Sequence, residues 1–140
     1  MAKDTQLSTT TINAEADALA RLLDNGYLRV YDGTKPATGN TAISGNTLMS
    51  EHRFSATSAP PASNGVLTFS AITAPAALSG GTPTWFRALK SDGATGVMDG
   101  TCGATGSTSN LEFAILPLVL GGTVTISSFT HTVPAATTGV

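Results

Sequence analysis

At Asn25-Gly26 the chain changes character, and that boundary constrains the fold more than any other feature. Before it, Ile12, Ala16, Leu19 and Leu23 recur at i, i+4, i+7 and i+11, the spacing that lines one face of a helix, and Leu22 widens that face. After it, Tyr27-Leu28-Arg29-Val30-Tyr31 alternates as a strand, and Asp32-Gly33 turns the chain out of it. Asn25-Gly26 supplies the left-handed backbone at which helices commonly stop. Thr11 or Asn13 can provide the N-cap oxygen, with Glu15 and Asp17 toward the positive end of the helix dipole. A helix of about 12 residues is marginal alone in water. It must pack on the β body of its own chain, the expected arrangement, or on another copy.

From residue 26 onward the signals are those of strands. Thr47–Phe54, Val66–Ile72, Thr84–Lys90, Thr95–Asp99, Leu111–Leu116 and Thr123–Val133 read as strands. Between them lie breaker-rich stretches at 32–46, 55–65, 73–83 and 100–110, and Ser91-Asp92-Gly93 reads as a hairpin turn. A short apolar patch, Leu118-Val119-Leu120, precedes Gly121-Gly122. The organisation expected is one domain: an arm over 1–11, a helix over 12–25, a β body over 26–134 and a tail over 135–140. Short strands at this spacing predict an antiparallel β-sandwich, a jelly-roll-like arrangement being one form of it. Composition agrees. Only 11% of the residues are charged, against about 25% in an average soluble protein. The polar surface must come from Thr, Ser, Asn and Gly, which suit a pleated sheet better than a helix bundle.

The same scarcity of charge bears on function. A weakly charged surface repels its own copies little, which eases assembly. The formal net charge is −2 and no basic stripe is present, so phosphate-led binding of nucleic acid is not expected. Cys102 is alone, which excludes an intrachain disulfide, and it reads as a small side chain in or near a strand. No apolar run follows the polar N-terminus or approaches the ~18 residues that span a bilayer, so synthesis and folding in a cytoplasm are expected. His52, His131 and Cys102 do not fall at metal-ligand spacings, and Asp92-Gly93 and Asp99-Gly100 lack the remaining oxygens of a calcium loop. No nucleophile elbow or phosphate loop is present, and Glu51, Asp99 and Glu112 read as capping or solvated carboxylates. The expectation is a binding protein without cofactor or metal.

In the strand after the junction, Leu28 and Val30 point one way and Tyr27, Arg29 and Tyr31 the other. The second set is either a partly exposed sheet face or a contact face, since Tyr and Arg are favoured in interface cores. Trp85 and Phe86 are adjacent and therefore face opposite ways, one into the core and one toward a surface or interface. The candidate interface residues are thus Tyr27, Arg29, Tyr31 and Trp85, joined by Leu19 and Leu23 if the helix packs between copies. A sugar-stacking platform of Tyr27, Tyr31 and Trp85 is the competing use of the aromatics.

The segments Gly26–Pro36, Thr47–Phe54, Thr84–Gly93 and Val97–Gly100 resemble a family of small virion proteins of tailed bacteriophages, and the likeness is closest to capsid decoration, or cement, proteins. It extends over residues 12–133 as a pattern of turns and strand residues. It implies a β-sandwich body, frequently a homotrimer, seated outside the shell where copies of the major capsid protein meet, and it carries over no catalytic residues. The role expected is to clamp neighbouring capsid subunits. Another virion role, in tail, baseplate or head fibre, and a carbohydrate-binding module for adsorption are the alternatives.

Overall fold

The computed structural model describes residues 4–138. A short strand β1 (Asp4–Gln6) leads into helix α1 (Thr9–Leu23), followed by β2 (Tyr27–Tyr31), β3 (Leu48–Arg53), β4 (Val66–Thr68), β5 (Trp85–Leu89), β6 (Gly96–Ala104), β7 (Leu111–Phe113), β8 (Ile126–Thr132) and β9 (Ala136–Thr138). The protein is mainly β, with one N-terminal helix and one open seven-stranded sheet in the order β3-β2-β5-β6-β7-β8-β4. The hydrogen bonds run through all seven strands, so a division into two separate sheets is not what the pairing describes. The sheet is also mixed rather than purely antiparallel, because β7 runs parallel to β6. Glu112 makes that tight return workable: its carboxylate accepts the Gly106 and Thr108 amides at 3.1 and 3.0 Å and holds the 105–110 loop closed. The segments expected as arm and tail contribute β1 and β9, which pair antiparallel with each other.

The helix begins three residues before the expected start. Ser8, not Thr11 or Asn13, is the N-cap, and its Oγ accepts the Thr11 amide. It packs on its own chain through a row of polar bonds as well as an apolar seam. Asn13 Oδ1 accepts the Gly65 amide at 2.8 Å, and Asp17 Oδ1 the Ala62 amide at 2.7 Å. Ala20 O accepts the Ser58 hydroxyl at 2.7 Å, and Asp24 Oδ1 the Ser58 amide at 2.8 Å. Those positions step along one helix stripe while the partners run backward from 65 to 58, so the loop is laid antiparallel along the helix. Beneath it Ala16, Ala20, Ala59 and Leu67 form a small cluster, against which Leu19 packs. Leu22 lies outside the seam, 45% exposed.

The junction is as tight as its sequence suggests. Asn25 takes φ 57, the left-handed stop. A side chain at Gly26 would strike the Leu89 carbonyl oxygen and come within 2.8 Å of that of Leu23, so only glycine lets helix and sheet approach this closely. Leu28 and Val30 then enter the main core with Leu23, Met49, Phe54, Phe86, Leu111, Phe113 and Phe129.

Three strand expectations differ from the structure. The segment read as a loop from residue 100 continues β6 to Ala104. Gly100 is needed there because a Cβ would stand 2.6 Å from the Phe86 ring, so the glycine is a packing requirement rather than a chain break. The run Val66–Ile72 pairs only over Val66–Thr68, after which the chain crosses to the opposite edge of the sheet. There Thr73 N donates to Arg53 O, Arg53 N to Thr73 Oγ1 and Leu78 N to Met49 O. These bonds cover the outer edge of β3, which would otherwise lie open. Ile115, inside the stretch Leu111–Leu116 expected as a strand, lies beyond the end of β7.

His52 sits fully buried in the core side of β3, with Nε2 2.9 Å from Ser50 Oγ and Nδ1 2.8 Å from Thr73 O. Both ring nitrogens are satisfied by a neutral imidazole that donates from Nδ1 and accepts at Nε2. Burial holds its pKa below the ordinary 6.5, against the smaller raising effect of the Thr73 carbonyl. The folded state therefore refuses a proton that the unfolded chain accepts, and stability is lost as pH falls below about 6.5 toward the depressed folded value. Thermal melts from pH 7.5 to 5.0 are expected to show a falling Tm, with a smaller fall in His52→Gln. An equal fall in both proteins would assign the acid sensitivity elsewhere.

Candidate interaction surfaces

Two surfaces with different chemistry lie at opposite ends of β3. The first is built on the outer face of the sheet. Tyr27, Arg29 and Tyr31 of β2 stand beside Leu89, Arg87 and Trp85 of β5, the register that antiparallel pairing dictates. At the Arg53 end of β3, two guanidinium groups approach the Tyr27 ring, Arg53 at 4.0 Å and Arg29 at 5.5 Å from its centroid. Arg53 also donates to Tyr27 Oη at 3.0 Å and to Asn25 O at 2.9 Å. Arg29 is tied down by Glu51 at 2.7 Å and by the Gly93 carbonyl at 3.1 Å. Tyr27 and Arg29 are half-buried and Arg53 is exposed, so this corner offers an ordered aromatic ring and a cation to solvent.

Farther along the same face, loop 32–46 closes over the sheet. Tyr31 stacks on Trp85 with centroids 4.7 Å apart, and Trp85 Nε1 donates to Asp32 O at 3.0 Å. Burial raises the Tyr31 pKa, with Arg29 and Arg87 acting in the opposite direction. Arg87 anchors the loop: it donates to Thr41 O at 2.8 Å and Thr38 O at 3.3 Å while making a two-pronged pair with Asp99 at 2.7 and 2.8 Å.

The six candidate interface residues thus separate. Tyr27 and Arg29 reach solvent, and Leu19 is half-buried against the helix cluster. Tyr31, Trp85 and Leu23 are buried within the chain's own fold. Trp85 is only 1% exposed, so in this conformation Tyr31 and Trp85 present no ring face on which a sugar could stack.

The second surface lies near Met49, at the other end of β3. Leu78, Ile115, Val119 and Leu120 are 56%, 75%, 70% and 70% exposed. Two irregular segments carry them, and backbone bonds lock these together. Leu118 and Gly81 exchange a pair at 2.8 and 2.9 Å, Ala77 N donates to Gly122 O at 2.7 Å and Gly121 N to Ala77 O at 2.9 Å. Gly122 N returns to Val119 O at 2.8 Å, and Gly121 takes φ 80, which matches a type II turn with Leu120 at its tip. Beside the turn, Ile115, Pro117, Leu118, Val119, Gly122 and Thr123 line a groove of about 310 Å³. The run Leu118-Val119-Leu120 was visible in the sequence. The exposure of Val119 and Leu120 was not, because a three-residue apolar run serves a core equally well, as Leu118 does.

Chemistry-bearing side chains are otherwise quiet. Burial pushes the Cys102 thiol up to about 12, far from a reactive thiolate. Asp92 is lowered to about 2 by the Thr95 hydroxyl and the Thr95 and Ala94 amides, the bonding of a turn cap. Among the described residues no group of three His, Cys, Asp or Glu side chains converges, and no helix is long and apolar enough to cross a membrane. Comparison with protein-family models, with curated proteins and with solved structures finds no match for this chain.

The Arg87–Asp99 pair generates a test of the loop's anchoring. Its side chains are 9% and 4% exposed, so removing the carboxylate strands a buried cation. Asp99→Asn is expected to cost about 3–5 kcal/mol in urea denaturation and to speed amide exchange across residues 38–41, whose two end carbonyls, Thr38 O and Thr41 O, Arg87 holds. Unchanged exchange in that loop would show that Arg87 is not its anchor.

Proposed function

We propose that this protein is a bacteriophage capsid decoration protein that binds the outer surface of the head and stabilises contacts between copies of the major capsid protein, acting by binding rather than catalysis. The observation that supports a role in an assembly is the rigid, uncharged apolar surface at Leu78, Ile115, Val119 and Leu120. Apolar side chains held out on a preorganised turn fit an associating protein, because association recovers the free energy of their exposure. The ordered Tyr27–Arg53 corner adds a second surface of the composition favoured at interfaces. The choice of a capsid as partner rests on the resemblance carried by Gly26–Pro36, Thr47–Phe54 and Thr84–Gly100. A homotrimer suits that role, since three copies joined together multiply modest contacts into firm attachment. We also read the curled sheet as a sandwich in its finer form, with β3, β2, β5 and β6 facing β7, β8 and β4. Support for this comes from Phe54, beyond β3, meeting Phe69 and Phe129 from the other end of the sheet.

The proposed role has a direct biochemical test. Purified protein added to expanded heads that lack it is expected to bind in saturable, stoichiometric amounts and to raise the temperature at which they release DNA. Arg53→Glu, an exposed change at the Tyr27 corner, is expected to weaken binding at least tenfold while the protein stays folded. Failure of the unaltered protein to bind, together with equal heat stability of heads with and without it, would overturn the proposal.

A further inference from the structure

The decoration reading leaves open what meets each surface. We infer that the apolar surface around Leu120 is the contact between copies of this chain, leaving the Tyr27–Arg53 corner free for the shell; the inference rests on the decoration reading only for the number of copies. Three observations carry it.

The first is shape. Leu120 projects from the tip of a turn that four backbone hydrogen bonds fix to segment 77–81. The groove of Ile115, Pro117 and Val119 opens beside it. A projection and a recess on one patch let each copy seat Leu120 in the recess of the next, and such a contact closes into a ring when the rotation allows. The second is charge. Residues 54–86 and 113–138, which supply the whole patch, contain no Asp, Glu, Lys or Arg. The patch and its groove therefore contribute no ionised group to be desolvated, the main cost that opposes burial of a surface. The Tyr27 corner is the opposite case, with Arg53, Arg29 and Glu51 gathered around one ring. The third is area. Four large apolar side chains at these exposures present on the order of 400–500 Å² per copy, so full burial removes on the order of 1,000 Å² from water in a face-to-face pair, the lower bound of a specific interface, and about 1,500 Å² shared among the contacts of a ring of three. The position of the patch fits as well. Leu78 is bonded to Met49 at the start of β3 and Arg53 ends that strand, so engaging one surface leaves the other accessible.

Sedimentation velocity across 1–100 µM tests the inference. The unaltered protein is expected to form a discrete oligomer. Leu120→Glu and Val119→Glu, both at exposed positions, are expected to weaken association at least tenfold and to yield monomer with unchanged circular dichroism. Leu22→Glu, at an exposed apolar position on α1 outside the patch, is expected to leave the oligomer intact. A monomeric unaltered protein, or oligomers that persist in both patch variants, would overturn the assignment. The mass separates this inference from the role it accompanies. Three copies agree with the trimer expected of a decoration protein, whereas two copies lost in the patch variants would uphold the surface and contradict the trimer. Binding of monomeric variants to heads reads the decoration role independently.

Discussion

The ring of Phe129 joins the two ends of the sheet, and the rest of the β body depends on that contact. It stacks on Phe69 at 4.4 Å, meets Phe86 edge-on at 5.1 Å and lies 6.0 Å from Phe54. Phe86 belongs to the central strand β5, Phe54 follows β3 at one end of the strand order, and Phe69 follows β4 at the other. One side chain therefore holds together elements that the hydrogen-bond ladder places at opposite edges. Aromatic pairs of this kind add about 0.5–1.5 kcal/mol each beyond the area they bury. Segment 69–81 runs from the end of β4 to the edge of β3, where Thr73 and Leu78 bond to Arg53 and Met49, and it carries Leu78 and braces the Leu120 turn.

Around this apolar centre, order comes from polar groups whose partners lie far away in sequence. Asn13, Asp17 and Asp24 hold the 58–65 loop on the helix, Glu112 closes the 105–110 loop, and Arg87 fastens 38–41 to the sheet. Among the described residues no buried side-chain nitrogen or oxygen lacks a partner. That completeness matters because an unpaired buried polar group costs about 1–3 kcal/mol. The chain has few charges and uses several of them to fix loops, and residues 54–86 and 113–138, which supply both core side chains and the Leu120 surface, carry no Asp, Glu, Lys or Arg.

Much of this was legible in the sequence, and the part that was not has a physical reason. The helix, its stop at Asn25, the core direction of Leu28 and Val30 and the opposite faces of Trp85 and Phe86 all follow from local periodicity. The parallel β7, the early end of β4 and the continuation of β6 through Gly100 depend on contacts between distant segments, such as Phe86 occupying the space above Gly100. The candidate surfaces divide the same way. Tyr27 and Arg29 stayed accessible as alternation suggested. Tyr31 and Trp85 lie under loop 32–46, which no strand pattern could foresee. Leu118-Val119-Leu120 stood out as an apolar run, but only the bonds from Ala77 and Gly81 turn Val119 and Leu120 outward.

The chemistry of these surfaces suits a protein that works by being held in an assembly: one uncharged apolar surface, one ordered aromatic and cationic corner, and a core whose only thiol is buried. The proposed decoration role makes its position in the particle the central claim. Cryo-electron microscopy of the virion in which the proposal places this chain tests it most directly. The account predicts many copies on the outside of the head, clustered around the Leu120 turn with the Tyr27–Arg53 corner against the shell. Density for this chain confined to the tail or baseplate, or absent from the head surface, would contradict it.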